Sequence, residues 1–460
     1  MSFNIILASD SYKATHAEQY KLGTTKVYSY LEARAGGEYK ETMFFGLQYY
    51  LKKYLVGKVV TKRKINEAEK FFAAHFGNKQ LFNREGWEYI LKAHGGRLPV
   101  VIKAVAEGTV VPESNALLTI ENTDPKCFWL VNYLETMLVQ VWYGTTTGTI
   151  SREMKKVIWE ALVRSGTATL ENLAFKLHDF GFRGVSSQES AAMGGAGHLV
   201  NFLGTDNLAA CVMMMDYYRS HMPGFSIPAA EHSTITSWGE GGEGDSYENM
   251  LTRYPTGFVA VVSDSWDIRL AVSEIWGKRL RSKVLERDGV LVIRPDSGDP
   301  RVVLPELLDL LGEAFGFMVN EKGYKVLNPK VRLIQGDGIK RSTLGPILDA
   351  VMDAGWSADN LAFGSGGGLL QDCNRDTQRF AMKCSYVEVS GVARDVYKRP
   401  ATDPTKNSKR GRLMLVKDER GYRTLPEGTL GYTDLLVPVF KDGELLVDQK
   451  LEDIRERAKL

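Results

Sequence analysis

Four apolar runs decide how this chain folds: Phe258-Val-Ala-Val-Val262 before Ser263-Asp-Ser265, Val290-Leu-Val-Ile293 before Arg294-Pro-Asp-Ser-Gly298, Val331-Arg-Leu-Ile334 before Gln335-Gly-Asp-Gly338, and Leu361-Ala-Phe363 before Gly364-Ser-Gly-Gly-Gly368. Two earlier runs share the pattern, Phe175–His178 ahead of Asp179-Phe-Gly181 and Leu199–Leu203 ahead of Gly204-Thr-Asp206. Each ends in a polar or glycine-rich turn, and most lead into a helical pattern. That rhythm predicts parallel strands joined by helical crossovers. Polar residues at successive strand ends suggest a barrel whose site lies at that face, with an open doubly wound sheet as the alternative. Two helix starts punctuate the series: a capping box on Ser186 and Glu189, and Asp299 as N-cap with Pro300 at the first helical position.

Outward from this core the texture changes. Thr25–Leu31 alternates like a strand, Phe44–Lys53 and Lys64–His75 read as amphipathic helices, and Leu98–Val105 and Thr109–Val111 as a meander. Asn132–Tyr143 reads as one buried helix, and Ser151–Val163 as a helix stopped by Gly166. Alternation returns at Ser385–Ser390, with a hairpin turn at Lys441-Asp-Gly443. We therefore expect residues 1–148 and 385–460 to form one discontinuous mixed α+β domain around an α/β unit over 149–384.

Composition narrows the function. The 460 residues carry 58 Lys and Arg against 56 Asp and Glu, a formal charge of +2, which argues against a dedicated nucleic-acid binder. No apolar stretch reaches the ~18 residues of a membrane span, and the amino terminus lacks the basic and apolar regions of a signal peptide. The four cysteines, Cys127, Cys211, Cys373 and Cys384, form no CxxC pair. A cytoplasmic protein with reduced thiols is expected.

Several residues could carry chemistry. Gly364–Gly368 places four glycines in five positions after a strand, which suits backbone contact with a phosphate or serves as a tight turn. Gly239-Glu-Gly-Gly-Glu-Gly244 follows no strand and reads as a surface loop. Arg294 and Asp296 pair a cation with a carboxylate at a strand end, either for a phosphate and ribose hydroxyls or as a structural ion pair. Asp337 between two glycines suits sugar hydroxyls, hydrated magnesium or a simple turn. His232, beside Glu231 and hydroxyl residues, becomes a nucleophile if a carboxylate such as Asp264 holds one ring nitrogen, and is otherwise a packed or surface histidine. The basic run from Lys398 to Arg412 is a solvated face or a phosphate-binding flank.

Together with Asp10–His16, Lys176–Ser187, Ala229–Thr236 and Lys383–Tyr386, these strings run in order along almost the whole chain, and they resemble the nicotinamide phosphoribosyltransferases, a type II phosphoribosyltransferase family. The resemblance implies an irregular TIM-like (β/α) barrel with a second, mixed α+β domain built from both chain ends. It implies condensation of nicotinamide with phosphoribosyl pyrophosphate to nicotinamide mononucleotide and pyrophosphate, in NAD salvage. It also implies Mg2+, held mainly by substrate phosphates, ATP as a coupled co-substrate acting through a phosphohistidine, and a homodimer with shared active sites. By motif match His232 is the phosphorylated residue and Asp264 its orienting partner. Phe180 and a Tyr12 from the second subunit sandwich the pyridine, and Asp206 and Arg294 read the amide end. Arg183 and Asp296 contact ring, ribose or phosphates, and Gly336, Asp337, Gly366 and Gly367 line the ribose-phosphate pocket. Arg34, Arg375 and Lys383 match phosphate-binding positions, and Lys398 and Lys406 a basic flank.

The chain departs from animal members in the short Ala35-Gly-Gly-Glu38 after Arg34 and in Phe175, Phe182 and Trp266, where related sequences often carry tyrosine, which suits a bacterial or phage origin. The rivals are a nicotinate phosphoribosyltransferase of the same fold, disfavoured by a carboxylate at Asp206, and a non-catalytic nucleotide-binding barrel. An aldolase-like barrel would want a strand-end lysine, and none is present.

Overall fold

The computed structural model describes residues 3–402 and 407–460. The chain divides into two units, Met1–Thr149 with Met214–Ser220 and Cys373–Lys459, and Ile150–Met213 with His221–Asp372 and Leu460.

In the first unit both chain ends enter one seven-stranded sheet. Its longest strands, Thr24–Ala33 and Phe380–Val389, lie side by side and antiparallel. Val27, Tyr28, Tyr30 and Leu31 fill its core, as the β-branched and aromatic composition of that strand favours. Phe380–Cys384, expected inside the α/β unit, belong to this sheet: helical periodicity ends at Leu370, and the strand begins five residues before Ser385. The stretch expected as one helix over Asn132–Tyr143 is broken into Leu130–Tyr133, Glu135–Val139 and the start of Val141–Ser165, and that last helix includes the predicted Ser151–Val163.

The second unit is a curled parallel sheet of six strands: β1 Leu177–Asp179, β2 Gly204–Thr205, β3 Thr256–Val262, β4 Asp288–Arg294, β5 Val331–Gln335 and β6 Leu361–Ser365. The spatial order is β2-β1-β6-β5-β4-β3, every pairing parallel. The extended stretch 225–230 touches both outer strands: Thr205 N donates to Phe225 O at 2.9 Å, and Ala230 N to Ala260 O at 2.9 Å. Ala260, Val292 and Ile334 form a core cluster against which Phe180, Ile227 and Ala362 pack. Ile227, Val292, Ile334 and Ala362 also line a cavity of about 560 Å³ walled by Phe175, Phe225 and Phe258. At its edge Lys176 donates to the carbonyls of Asp359 and Leu361, both at 3.0 Å, and burial pushes its amine down to about 8.

Asp299 caps the helix Pro300–Phe315 with Pro300 at its start, as predicted. Ser187, not Ser186, caps Gln188–Leu199, its hydroxyl accepting from Ser190 N at 3.0 Å. The apolar run Leu199–Leu203 is not a strand. It closes that helix, with Phe202 stacked on His198 at 5.2 Å, and the strand is only Gly204–Thr205. Gly239–Gly244 forms a short turn and the start of the helix Glu243–Arg253, with no strand before it.

Candidate active site at the ends of the parallel strands

In the second unit the strand ends bring most of the predicted residues together. Phe180 follows β1, its N–H donating to Ser365 O of β6 at 3.0 Å. Its ring lies where a side chain at Gly364 would be: a Cβ there would meet Phe180 Cε2 at 2.0 Å. Gly336 faces the same space, its hypothetical Cβ 3.5 Å from Asp296 Oδ1 and 3.6 Å from Phe180 Cε2. Glycine at 364 is thus a shape requirement of the ring, which the reading of this loop as a phosphate cradle or a turn did not find.

Asp206 follows β2, which pairs with β1 through His178–Gly204 and Asp179–Thr205. Its carboxylate accepts the Ser226 hydroxyl. It does not cap the next helix. Asn207 does, its Oδ1 accepting from Ala210 N at 3.3 Å. Beneath these residues Asp179 is fully buried and accepts from Gly181 N at 2.7 Å and from Asn207 Nδ2 at 2.8 Å. Desolvation, offset in part by those bonds, pushes its carboxyl up to about 6. His178 is driven below the ordinary imidazole range, first by burial, with Asp206 opposing. It hydrogen-bonds Phe175 O at 3.0 Å through Nε2.

At the ends of β3 and β4 the polarity is different. His232 opens the short helix His232–Thr236, with Nδ1 3.2 Å from Ser265 Oγ and Nε2 3.7 Å from Asp264 Oδ1 and 3.5 Å from Asp296 Oδ2. Asp296 Oδ2 is also 3.2 Å from Arg294 Nη2. Asp264 Oδ2 accepts from Asp296 N at 2.9 Å and Ser297 Oγ at 2.6 Å, tying the two strand ends. Asp264 Oδ1 and Arg294 Nε are buried with no hydrogen-bond partner among the described residues. A buried acceptor and a buried donor left open are costly unless something completes them. The arrangement can therefore orient an imidazole between carboxylates and meet an anion with a guanidinium.

The glycine loop after β6 runs close to the end of β5. Ser365 Oγ donates to Ile339 O at 2.7 Å, and a Cβ on Gly368 would meet Ile339 O at 2.6 Å. Gly366 and Gly367 lie on this loop, Asp337 is exposed beside it, and Arg183 is exposed on the turn Phe182–Gly184.

The remaining predicted residues sit in the first unit. Tyr12 is 57% exposed and edges against His16 at 4.8 Å. Arg34 Nε donates to Arg379 O at 3.1 Å, and Arg375 is 3.4 Å from Asp376. The Lys383 amine is pushed below the usual lysine range, mainly by burial; Glu135 opposes this, and Arg34, Lys398 and Arg375 add to it. These four cations form one positive patch. Lys406 lies outside the described residues.

Residues 175–444 match the nicotinate phosphoribosyltransferase (NAPRTase) family, and residues 4–102 match the nicotinamide phosphoribosyltransferase N-terminal domain. The chain is 50% identical to the nicotinamide phosphoribosyltransferase of Xanthomonas campestris pv. campestris (strain 8004), over 99% of this chain and 98% of that protein. It is 34% identical to that of Acinetobacter baylyi, again over 99% and 98%. In fold it is similar to nicotinate-nucleotide pyrophosphorylase from Pyrococcus furiosus (TM-score 0.62, 16% identity, 99% of this chain and 94% of that one) and to human nicotinic acid phosphoribosyltransferase (TM-score 0.57, 16% identity, 98% and 92%). With the family match spanning more than half its length and a relative at 50% identity end to end, this chain belongs to the nicotinate phosphoribosyltransferase (NAPRTase) family.

Proposed function

We propose that this protein transfers the phosphoribosyl group of phosphoribosyl pyrophosphate to nicotinamide, giving nicotinamide mononucleotide and pyrophosphate in NAD salvage. The observation that carries this choice over nicotinate is Asp206. Asp206 follows β2, which pairs with the strand that Phe180 follows, and the Ser226 hydroxyl occupies its Oδ1. The other oxygen is suited to accept from a carboxamide NH2, whereas nicotinate would set two anions against each other. The names of the 50% and 34% identical relatives support the same base.

In this reading Phe180 stacks on the pyridine from one side and Tyr12 of a second subunit from the other, in a homodimer with shared sites. The ring nitrogen attacks C1 of the ribose as the bond to pyrophosphate breaks. Arg294, Arg183 and the glycines Gly336, Gly366 and Gly367 hold ribose and phosphates, and Arg34, Arg375, Lys383, Lys398 and Lys406 supply further positive charge. ATP is a coupled co-substrate: a nitrogen of His232 bonds to the γ-phosphorus as the bond to ADP breaks, and water later takes the phosphoryl group. Asp264 and Asp296, facing Nε2, favour a proton there and leave Nδ1 as the nucleophile. The oxygen donors Asp296 and Asp337, with the substrate phosphates, fit magnesium, which would neutralise charge on the leaving pyrophosphate. The stretch 225–230 then serves as an irregular stave of a (β/α) barrel, and the setting is the cytoplasm.

The test is incubation with phosphoribosyl pyrophosphate, magnesium and either base, with and without ATP. Nicotinamide mononucleotide should form from nicotinamide far faster than the acid mononucleotide from nicotinate. The reverse order would overturn the assignment.

A further inference from the structure

Two buried side chains in the second unit hold together the loops that carry Phe180 and Asp206, and neither contacts solvent. Asp179 and Asn207 are both fully buried. Oδ1 of Asp179 accepts from Gly181 N at 2.7 Å, fixing the backbone just after Phe180. Oδ2 accepts from Asn207 Nδ2 at 2.8 Å, fixing the residue just after Asp206. The backbone repeats the link, with Asp206 N donating to Asp179 O at 3.0 Å. Asn207 spends its second amide hydrogen on Ala191 O at 2.8 Å, and its N–H donates to Thr205 Oγ1 at 3.0 Å. The helix Gln188–Leu199 makes room for the pair with Gly195, where a Cβ would meet Asn207 Nδ2 at 2.5 Å and Asp179 Oδ2 at 2.7 Å.

A buried carboxylate is a costly way to close a turn, since a neutral side chain would satisfy Gly181 alone. Its distinctive property is two acceptor oxygens at fixed separation, and here each serves a different loop. We infer that Asp179 and Asn207 form a positioning unit that sets the spacing between the stacking ring of Phe180 and the carboxylate of Asp206, and so sets the grip on the neutral base. The inference rests on the substrate reading proposed above, because it assigns the pair to base binding and to no other step. Neither residue touches substrate in this account. Each acts through its neighbour.

Asp179→Asn turns one acceptor into a donor facing the Asn207 amide, and Asn207→Asp brings two carboxylates together. Either change should raise KM for nicotinamide by roughly ten- to a hundredfold, the loss of one bond to a charged acceptor, and leave KM for phosphoribosyl pyrophosphate within about twofold of wild type by the same scale. The reciprocal exchange, Asp179→Asn with Asn207→Asp, keeps an acceptor for Gly181 and restores the donor–acceptor pair between the two side chains, but leaves Ala191 O without its donor, so it should recover part of the nicotinamide KM relative to Asn207→Asp alone. Gly195→Ala, which crowds the pair without altering its chemistry, should move the same parameter and covers the case in which a charge-changing variant does not fold. Variants that lower the melting temperature with nicotinamide KM unmoved would overturn the positioning role. So would a reciprocal variant no better than Asn207→Asp alone, or a phosphoribosyl pyrophosphate KM that rises in parallel. Phe180→Ala and Asp206→Ala separate the two levels. If they also leave nicotinamide KM unchanged, the substrate reading fails. If they raise it while the pair variants do not, only the positioning inference fails.

Discussion

The two halves of the strand-end site are built on opposite terms. Around β1 and β2 the buried layer is closed: Asp179, Asn207 and the Gly181 and Asp206 amides form a network with fixed partners, and above it Asp206 keeps one carboxylate oxygen for a ligand. Around β3 and β4 the matching stops short. Among the described residues Asp264 Oδ1 and Arg294 Nε are buried without hydrogen-bond partners, and His232 stands 3.5 to 3.7 Å from two carboxylates, beyond good hydrogen-bond range. A closed network suits a small neutral ligand that must be recognised by shape and one hydrogen bond. Open charged groups suit a highly charged ligand that supplies the missing interactions itself.

Variants can break or sharpen that contrast. The largest effect is expected at the open end: His232→Ala should abolish an acid-labile phosphoryl label from ATP and lower phosphoribosyl transfer by at least about a hundredfold. A label that survives the substitution moves phosphoryl transfer elsewhere. At the closed end, Asp206→Asn should reduce the nicotinamide-to-nicotinate ratio of kcat/KM by about a hundredfold, because repulsion of roughly 4 kcal/mol at ~4 Å and an effective dielectric near 20 is removed. A ratio that does not move would detach Asp206 from base choice. Gly364→Ala should displace the Phe180 ring, raising nicotinamide KM about tenfold and costing about 1–3 kcal/mol of stability through overpacking. Adding Phe180→Leu should return stability and leave the KM defect. The effect least visible in activity concerns pH. The folded-state carboxyl of Asp179 lies near 6, above its ordinary 3.8, so the folded state holds a proton that the unfolded chain releases. Its contribution to stability is therefore greatest at low pH and is lost as pH rises from about 4 through 6, by at most on the order of 3 kcal/mol. Against wild type, Asp179→Asn should flatten that slope in melting temperatures measured across the window. A wild-type slope unchanged by the substitution would assign the titration to another group.

The sequence disclosed the parts of this site that depend on local pattern. β3 to β6 were legible because short apolar runs end in polar turns, and Asp299-Pro300 because an N-cap before proline leaves little choice. β2 was not, because two residues carry no periodicity and the apolar run before them belongs to a helix end. Ser186 and Ser187 offer the same hydroxyl, and only backbone geometry separates them. Asp206 was visible as a strand-end carboxylate, but that the next residue, Asn207, caps the following helix and leaves Asp206 free of that task is seen only in the structure. Asp179, Asn207 and Gly195 were in plain view without a signal, since their meaning lies in contacts between positions 12 to 28 residues apart. Gly364 was read as part of a phosphate-contacting loop or a tight turn, and its physical reason, the ring of Phe180, lies 184 residues away.

The stretch 225–230 has a consequence for how this chain survives synthesis and refolding. A parallel sheet exposes unpaired backbone along each outer strand, and such edges recruit strands from other molecules and seed aggregates. Here one short extended segment occupies Thr205 on one side and Ala260 on the other, so both margins of the apolar six-stranded sheet are covered by a few residues. The other sheet solves the same problem differently: its outer strands, Val392–Asp395 and Glu444–Leu445, are short and carry charge, and the first is exposed throughout. Loosening the first solution, for example with proline at Ala230, whose N–H donates to Ala260, should therefore show itself as clumping during refolding before it shows as lost catalysis.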